Sequence, residues 1–92
     1  MKERARILII DDEESIRFGF GGYLHAKGYS FFEAENGAKG LMLAKSQSPD
    51  VVLLDMKLPD IDGLDLLRAL RAENEFLVVI MITAFEIGRA HV

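Results

Sequence analysis

The sequence predicts an α/β fold, a doubly wound parallel sheet, on three observations. Ile7-Leu8-Ile9-Ile10, Val51-Val52-Leu53-Leu54 and residues 77–82 are short, continuously apolar, β-branched runs, the pattern of strands buried on both faces of a parallel sheet. Stretches with helical spacing separate them, and a strand–helix alternation with short connections builds such a sheet. Two of the runs end in acid, at Asp11-Asp12-Glu13-Glu14 and at Asp55. The carboxyl ends of strands are where open α/β sheets hold ligands, so the chemistry is expected there.

Ninety-two residues allow one small domain and leave no room for a second. Half of them are apolar and 28% are charged, the balance of a packed globular chain rather than a disordered one. A net charge of −4 gives no electrostatic basis for this segment to contact nucleic acid or an anionic membrane. The absence of cysteine excludes disulfides, thiolate zinc sites and cysteine nucleophiles. Residues 1–6 are charged and lead into only four apolar residues before Asp11, too few for a signal peptide or a membrane span. A cytoplasmic location is expected.

The first strand is the run that stops at Asp11. Residues 15–27 read as the first helix, with Ile16, Gly19, Phe20, Tyr23 and Leu24 at helical spacing and Gly28 in the position of a C-terminal cap. Its glycines at 19, 21 and 22 disfavour an isolated helix, so packing must hold it. Residues 29–34, with Phe31-Phe32, form a second strand that is less apolar and so belongs at the sheet edge. Asn36 is the N-cap of a second helix running through Lys45, with Leu41, Met42 and Ala44 on its apolar stripe. After the central strand, Pro59 fixes and Gly63 frees the backbone of the loop. Leu64, Leu67, Leu70 and Arg71 mark a third helix that buries leucine and turns Arg68 and Glu73 outward. The run 77–82 is a fourth buried strand, closed by Thr83.

In the strand order 2-1-3-4 the acids after Ile10 lie beside Asp55, with Thr83 on the other flank. Crowded carboxylates hold either a proton or a cation, and hard oxygen ligands without His or Cys select Mg2+ or a similar ion. Beside such a cation a carboxylate can attack a phosphoryl group as a nucleophile. Taken singly, Asp11 and Asp12 read as a solvated turn, Thr83 as a strand end and Met56 as core; only convergence on Asp55 gives them a common role. Asp60, Asp62 and Asp65 read as solvated, and His25 as a surface histidine on the first helix rather than a phosphodonor.

Three stretches together resemble the receiver domain of two-component response regulators: Ile-Leu-Ile-Ile-Asp11-Asp12-Glu13, Leu-Leu-Asp55-Met56-Lys57-Leu58-Pro59-Asp60-Ile61-Asp62-Gly63, and Ile-Thr83-Ala84-Phe85. The resemblance runs from about residue 5 to residue 85 and implies the flavodoxin-like receiver fold. It implies that Asp55 is the phosphoacceptor, that Asp12 binds Mg2+ directly with Asp11 acting mainly through water, and that the Met56 carbonyl completes the protein ligands. Thr83 becomes the switch hydroxyl, and Ala84 supplies a backbone amide to the phosphoryl group. Lys57 lies where family members tune hydrolysis of the acyl phosphate. The implied partners are a histidine kinase and a downstream output domain; Ile-Thr-Ala-Phe is most like receivers of the nitrogen-regulation type, which precede an ATPase and a DNA-binding domain. The implied activity is that of a switch, not an enzyme.

The chain departs from the family after Phe85. A receiver continues into a fourth helix, a fifth strand bearing a lysine and an aromatic residue, and a fifth helix, none of which has a counterpart here. Residues 5–85 are therefore expected to be a truncated, inactive receiver in which the run 77–82, apolar on both faces, is left as an exposed edge, and 86–92 a non-native tail. One codon series for Glu86-Ile87-Gly88-Arg89-Ala90-His91-Val92 spells the start of a widely used short-read sequencing adapter. Two other readings remain open. A haloacid dehalogenase-type aspartyl-phosphate hydrolase also uses a strand-end Asp with Mg2+, but wants an Asp where Lys57 stands. A receiver-like interaction module without phosphorylation would suit the missing lysine.

Overall fold

The computed structural model describes residues 5–82, so Thr83, Ala84 and the tail 86–92 lie outside the described residues. Four parallel strands, β1 (Arg6–Ile10), β2 (Ser30–Ala34), β3 (Val51–Asp55) and β4 (Val78–Ile82), alternate with three helices, α1 (Glu14–Ala26), α2 (Gly37–Gln47) and α3 (Gly63–Glu73). The sheet order is β2-β1-β3-β4, as the sequence predicts. Ile10 pairs with Leu54 across β1 and β3, so the residues that follow them, Asp11 just past β1 and Asp55 at the end of β3, lie side by side.

Alternation along the strands divides the core into two layers. Leu8, Ile10, Val52 and Leu54 face α2 and α3, where Leu66 and Leu70 complete a cluster with Ala34 and Leu77. Ile7 and Ile9 face the other way, toward Leu24 of α1, with Val51 and Leu53 partly buried beside them. Helices on both faces make the sheet doubly wound.

The helix ends follow local chemistry. Asn36 caps α2 by accepting from the Lys39 N–H at 2.8 Å. Gly28 follows α1 with φ 85°, a left-handed conformation that glycine adopts without strain, and its N–H reaches the His25 carbonyl at 3.0 Å.

Helical phase differs from the sequence reading in all three helices. In α1, Gly21 and Leu24 are buried while Tyr23 is exposed; a Cβ on Gly21 would lie 2.8 Å from the Phe31 ring, whereas Gly19 and Gly22 face open space. In α2, Met42 points outward and Leu43 packs inward with Leu41 and Ala44. In α3, Leu66 and Leu70 are fully buried and Leu64 is exposed. Adjacent apolar residues lie about 100° apart on a helix, so a run such as Leu41-Met42-Leu43 does not itself select its inner face.

β4, apolar on both faces, is buried on only one and lies at the sheet edge, as the sequence predicts. Val79 and Met81 pack on the layer of α2 and α3, but Val78 and Ile80 on the opposite face are 52% and 50% exposed. Among the described residues β4 pairs only with β3, and α1 packs over β1 and β2 instead.

Candidate functional site

The site is built by the ends of the two inner strands. Asp11 follows β1, donates its N–H to the Ala34 carbonyl at 3.0 Å, and is 5% exposed. Its Oδ1 accepts the Glu13 N–H at 2.9 Å, a short turn that directs the carboxylate inward. Asp12 is exposed, and Asp55, the last residue of β3, is half-buried with Oδ1 accepting the Lys57 N–H at 3.2 Å. Asp11, Asp12 and Asp55 can each place a carboxylate oxygen within 4.8 Å of the other two. They open into a cavity of about 490 Å³ shared with Glu13, Lys57 and an apolar wall of Ile16, Phe20 and Ile82.

This crowding raises proton affinity. Burial pushes the Asp11 carboxyl up, the charges of Asp55, Asp12 and Glu13 add to it, and the Glu13 N–H opposes. Burial likewise raises Asp55, with the charge and side-chain hydrogen bond of Asp12 adding and the N–H groups of Lys57 and Met56 opposing. A divalent cation relieves both causes, because it replaces lost hydration and screens like charges. The donor set is hard oxygen throughout, so the residues present fit Mg2+.

The loop after Asp55 is held by close backbone approach. Gly63 donates its N–H to the Met56 carbonyl at 3.1 Å, and a Cβ on Gly63 would lie 2.8 Å from Met56 Cα and 2.9 Å from its oxygen. The sequence reading assigned Gly63 a permissive φ; the only positive-φ glycine among the described residues is Gly28, and what Gly63 supplies is space. Lys57 and Asp62 close the loop as an isolated antiparallel bridge.

Two aspartates read as merely solvated do structural work here. Asp62 caps α3, accepting from the Leu64 N–H at 3.0 Å. Asp60 accepts from Gly37 at 2.8 Å and Ala38 at 2.9 Å, tying the loop to the start of α2. These bonds hold the Asp60 carboxyl below its ordinary range. Asp65 is exposed and pairs with Arg68 at 3.0 Å, and His25 is exposed on α1 as expected.

Sequence reasoning also missed Arg17. Its Nη1 donates to the Asp11 carbonyl at 2.7 Å and its Nε to Glu33 at 3.2 Å. An arginine one turn into a helix carries no local signal of such a contact.

The sequence matches the response regulator receiver domain family over residues 7–90. It is 39% identical over 80 residues to sporulation initiation phosphotransferase F of Bacillus subtilis, covering 87% of this chain and 64% of that protein. Identity to the probable transcriptional regulatory protein TcrX of Mycobacterium tuberculosis is 40% over 78 residues, which are 85% of this chain and 33% of TcrX. The fold resembles NtrX from Brucella abortus, solved in complex with ADP, with a TM-score of 0.85 at 32% identity, covering 97% of this chain and 21% of that one. A CheY-like receiver domain protein from Methanospirillum hungatei gives a TM-score of 0.84 at 28% identity, covering 95% and 72%. The chain thus spans less than two thirds of either curated relative. The match selects the receiver reading over the haloacid dehalogenase one. With its sheet order, its acid cluster and its sequence pointing the same way, the chain belongs to the response regulator receiver domain family.

Proposed function

We propose that the protein accepts a phosphoryl group on Asp55 from a histidine kinase and acts as a Mg2+-dependent signalling switch. The observation that carries this reading is the convergence of Asp11, Asp12 and Asp55 within 4.8 Å at the ends of β1 and β3. Asp12, Asp55 and the Met56 carbonyl would hold the ion directly, and Asp11 mainly through water. When bound, Mg2+ supplies the positive charge that offsets the oxygens of a transferring phosphoryl group.

Asp55 supplies the nucleophile. A carboxylate oxygen forms the bond to phosphorus as the P–N bond of a phosphohistidine breaks; the electron pair stays on the imidazole nitrogen and an acyl phosphate is left on Asp55. The Lys57 N–H on Oδ1 helps fix the carboxylate in place. The Thr83 hydroxyl and the Ala84 amide would take up the phosphoryl oxygens, and Lys57 would tune hydrolysis. The role is regulatory rather than enzymatic.

An output domain in the full gene product accords with the small share of TcrX and NtrX that the chain covers. A cytoplasmic location suits a kinase partner, and among the described residues no helix is long and apolar enough to cross a membrane. On the codon reading alone, 5–85 is a truncated receiver that is inactive by itself and 86–92 a non-native tail; a different codon series in the nucleotide record removes that proposal. The functional test is incubation of the full gene product with acetyl phosphate and Mg2+. One acid- or base-labile phosphoryl group is expected and Asp55→Asn abolishes it; label that survives the substitution overturns the assignment.

A further inference from the structure

The Asp11 carbonyl belongs to the peptide that joins the two acids of the β1 terminus, and it lies beyond the last residue of β1. Its partner is the Arg17 guanidinium at 2.7 Å. The other end of the same residue is fixed by the Asp11 N–H on the Ala34 carbonyl at 3.0 Å. Arg17 is itself anchored by Glu33 of β2 at 3.2 Å, with a side chain only 13% exposed. The two peptides that flank Asp11 are thus each held, the preceding one by β2 and the Asp11–Asp12 one by α1.

We infer that Arg17 is a positioning residue for the metal site: by gripping this peptide it aims both acids at Asp55. The inference rests on the Mg2+ reading above and deepens it. With the peptides on both sides of Asp11 fixed, its φ and ψ are set, and with them the direction of its Cα–Cβ bond and the path of the chain into Asp12. Groups that orient ligands without touching the ion change metal affinity by about 10–100-fold when removed. Charge alone predicts the opposite sign, because deleting a cation beside three carboxylates strengthens their pull on Mg2+.

The test measures Mg2+ affinity by calorimetric titration of the full gene product, alongside its thermal midpoint. Arg17→Met keeps the apolar stem and removes the donors, Arg17→Lys restores one donor, and Arg68→Ala deletes an exposed arginine on α3. We expect the Mg2+ Kd to rise about tenfold in Arg17→Met, less in Arg17→Lys, and not in Arg68→Ala. A folded Arg17→Met protein with unchanged or tighter Mg2+ binding overturns the inference, even if its midpoint falls, and leaves the metal reading standing. If Arg17→Met does not fold, Arg17→Lys decides: a Kd raised a few-fold supports the inference and an unchanged one overturns it. Absence of Mg2+ binding by the unsubstituted protein overturns the metal reading and this inference with it.

Discussion

At the scale of single residues, Asp11 illustrates how a site conflicts with the stability of its own fold. Its carboxyl is buried and surrounded by like charge, so its proton affinity in the folded state is raised. The contribution of such a group to stability is full below the ordinary carboxylate range and is lost as pH rises through the raised value. At neutral pH without metal, the ionised cluster therefore opposes folding. Asp11→Asn should raise the thermal midpoint of the metal-free protein at pH 7. The same substitution should reduce the further rise that Mg2+ gives; thermal scans at pH 7 with and without Mg2+ check both. The acids were legible in the sequence because they terminate apolar runs. That Asp11 turns inward while Asp12 is exposed was not, because the direction depends on the Glu13 N–H and on neighbours from β2 and α1.

Among the elements, the loop from Asp55 to α3 owes its shape to contacts that sequence distance conceals. Turn residues announced a loop, but neither the backbone approach of Gly63 to Met56 nor the reach of Asp60 to Gly37 follows a local pattern. The Asp60 carboxylate satisfies two N–H groups at the positive end of α2. Its lowered proton affinity gives a contribution that is present above the ordinary carboxylate range and lost as pH falls through the lowered value. Asp60→Ala should lower the thermal midpoint at pH 7, and the gap between the two proteins should close as pH falls below about 4. Midpoints recorded from pH 7 to pH 3 test this, and a gap that persists in acid would count against the capping role. The cap of α2 at Asn36 and the stop of α1 at Gly28, by contrast, were readable from neighbouring residues, while the Asp62 cap of α3 was not.

For the whole molecule, strand order and layering followed from runs and spacing, and the exposed edge expected of the run 77–82 is found at β4. An apolar run announces burial, yet Val78 and Ile80 face a side of the sheet that α1 does not cover. Phe76, just before the strand, is exposed as well. A sheet edge with uncharged side chains and open main-chain groups is a template for pairing with another copy. The 92-residue chain should therefore self-associate at micromolar concentration. Ile80→Lys should increase the monomer fraction several-fold in sedimentation velocity, a lysine being a residue that blunts strand edges.

The placement of the acids on β1 and β3, the two inner strands, has a consequence for how the molecule opens. Amide protons on β1 are enclosed by neighbours on both sides, and those of β3 likewise, whereas β2 and β4 have one neighbour each among the described residues. Exchange with deuterated solvent should be slowest along β1 and β3, requiring global unfolding, and faster along β2 and β4, where fraying suffices. Edge strands can then breathe while Ile10 and Leu54 stay paired, although Asp11 loses its Ala34 partner when β2 frays. Transient opening of β2 should therefore loosen the hold on Asp11 without separating β1 from β3.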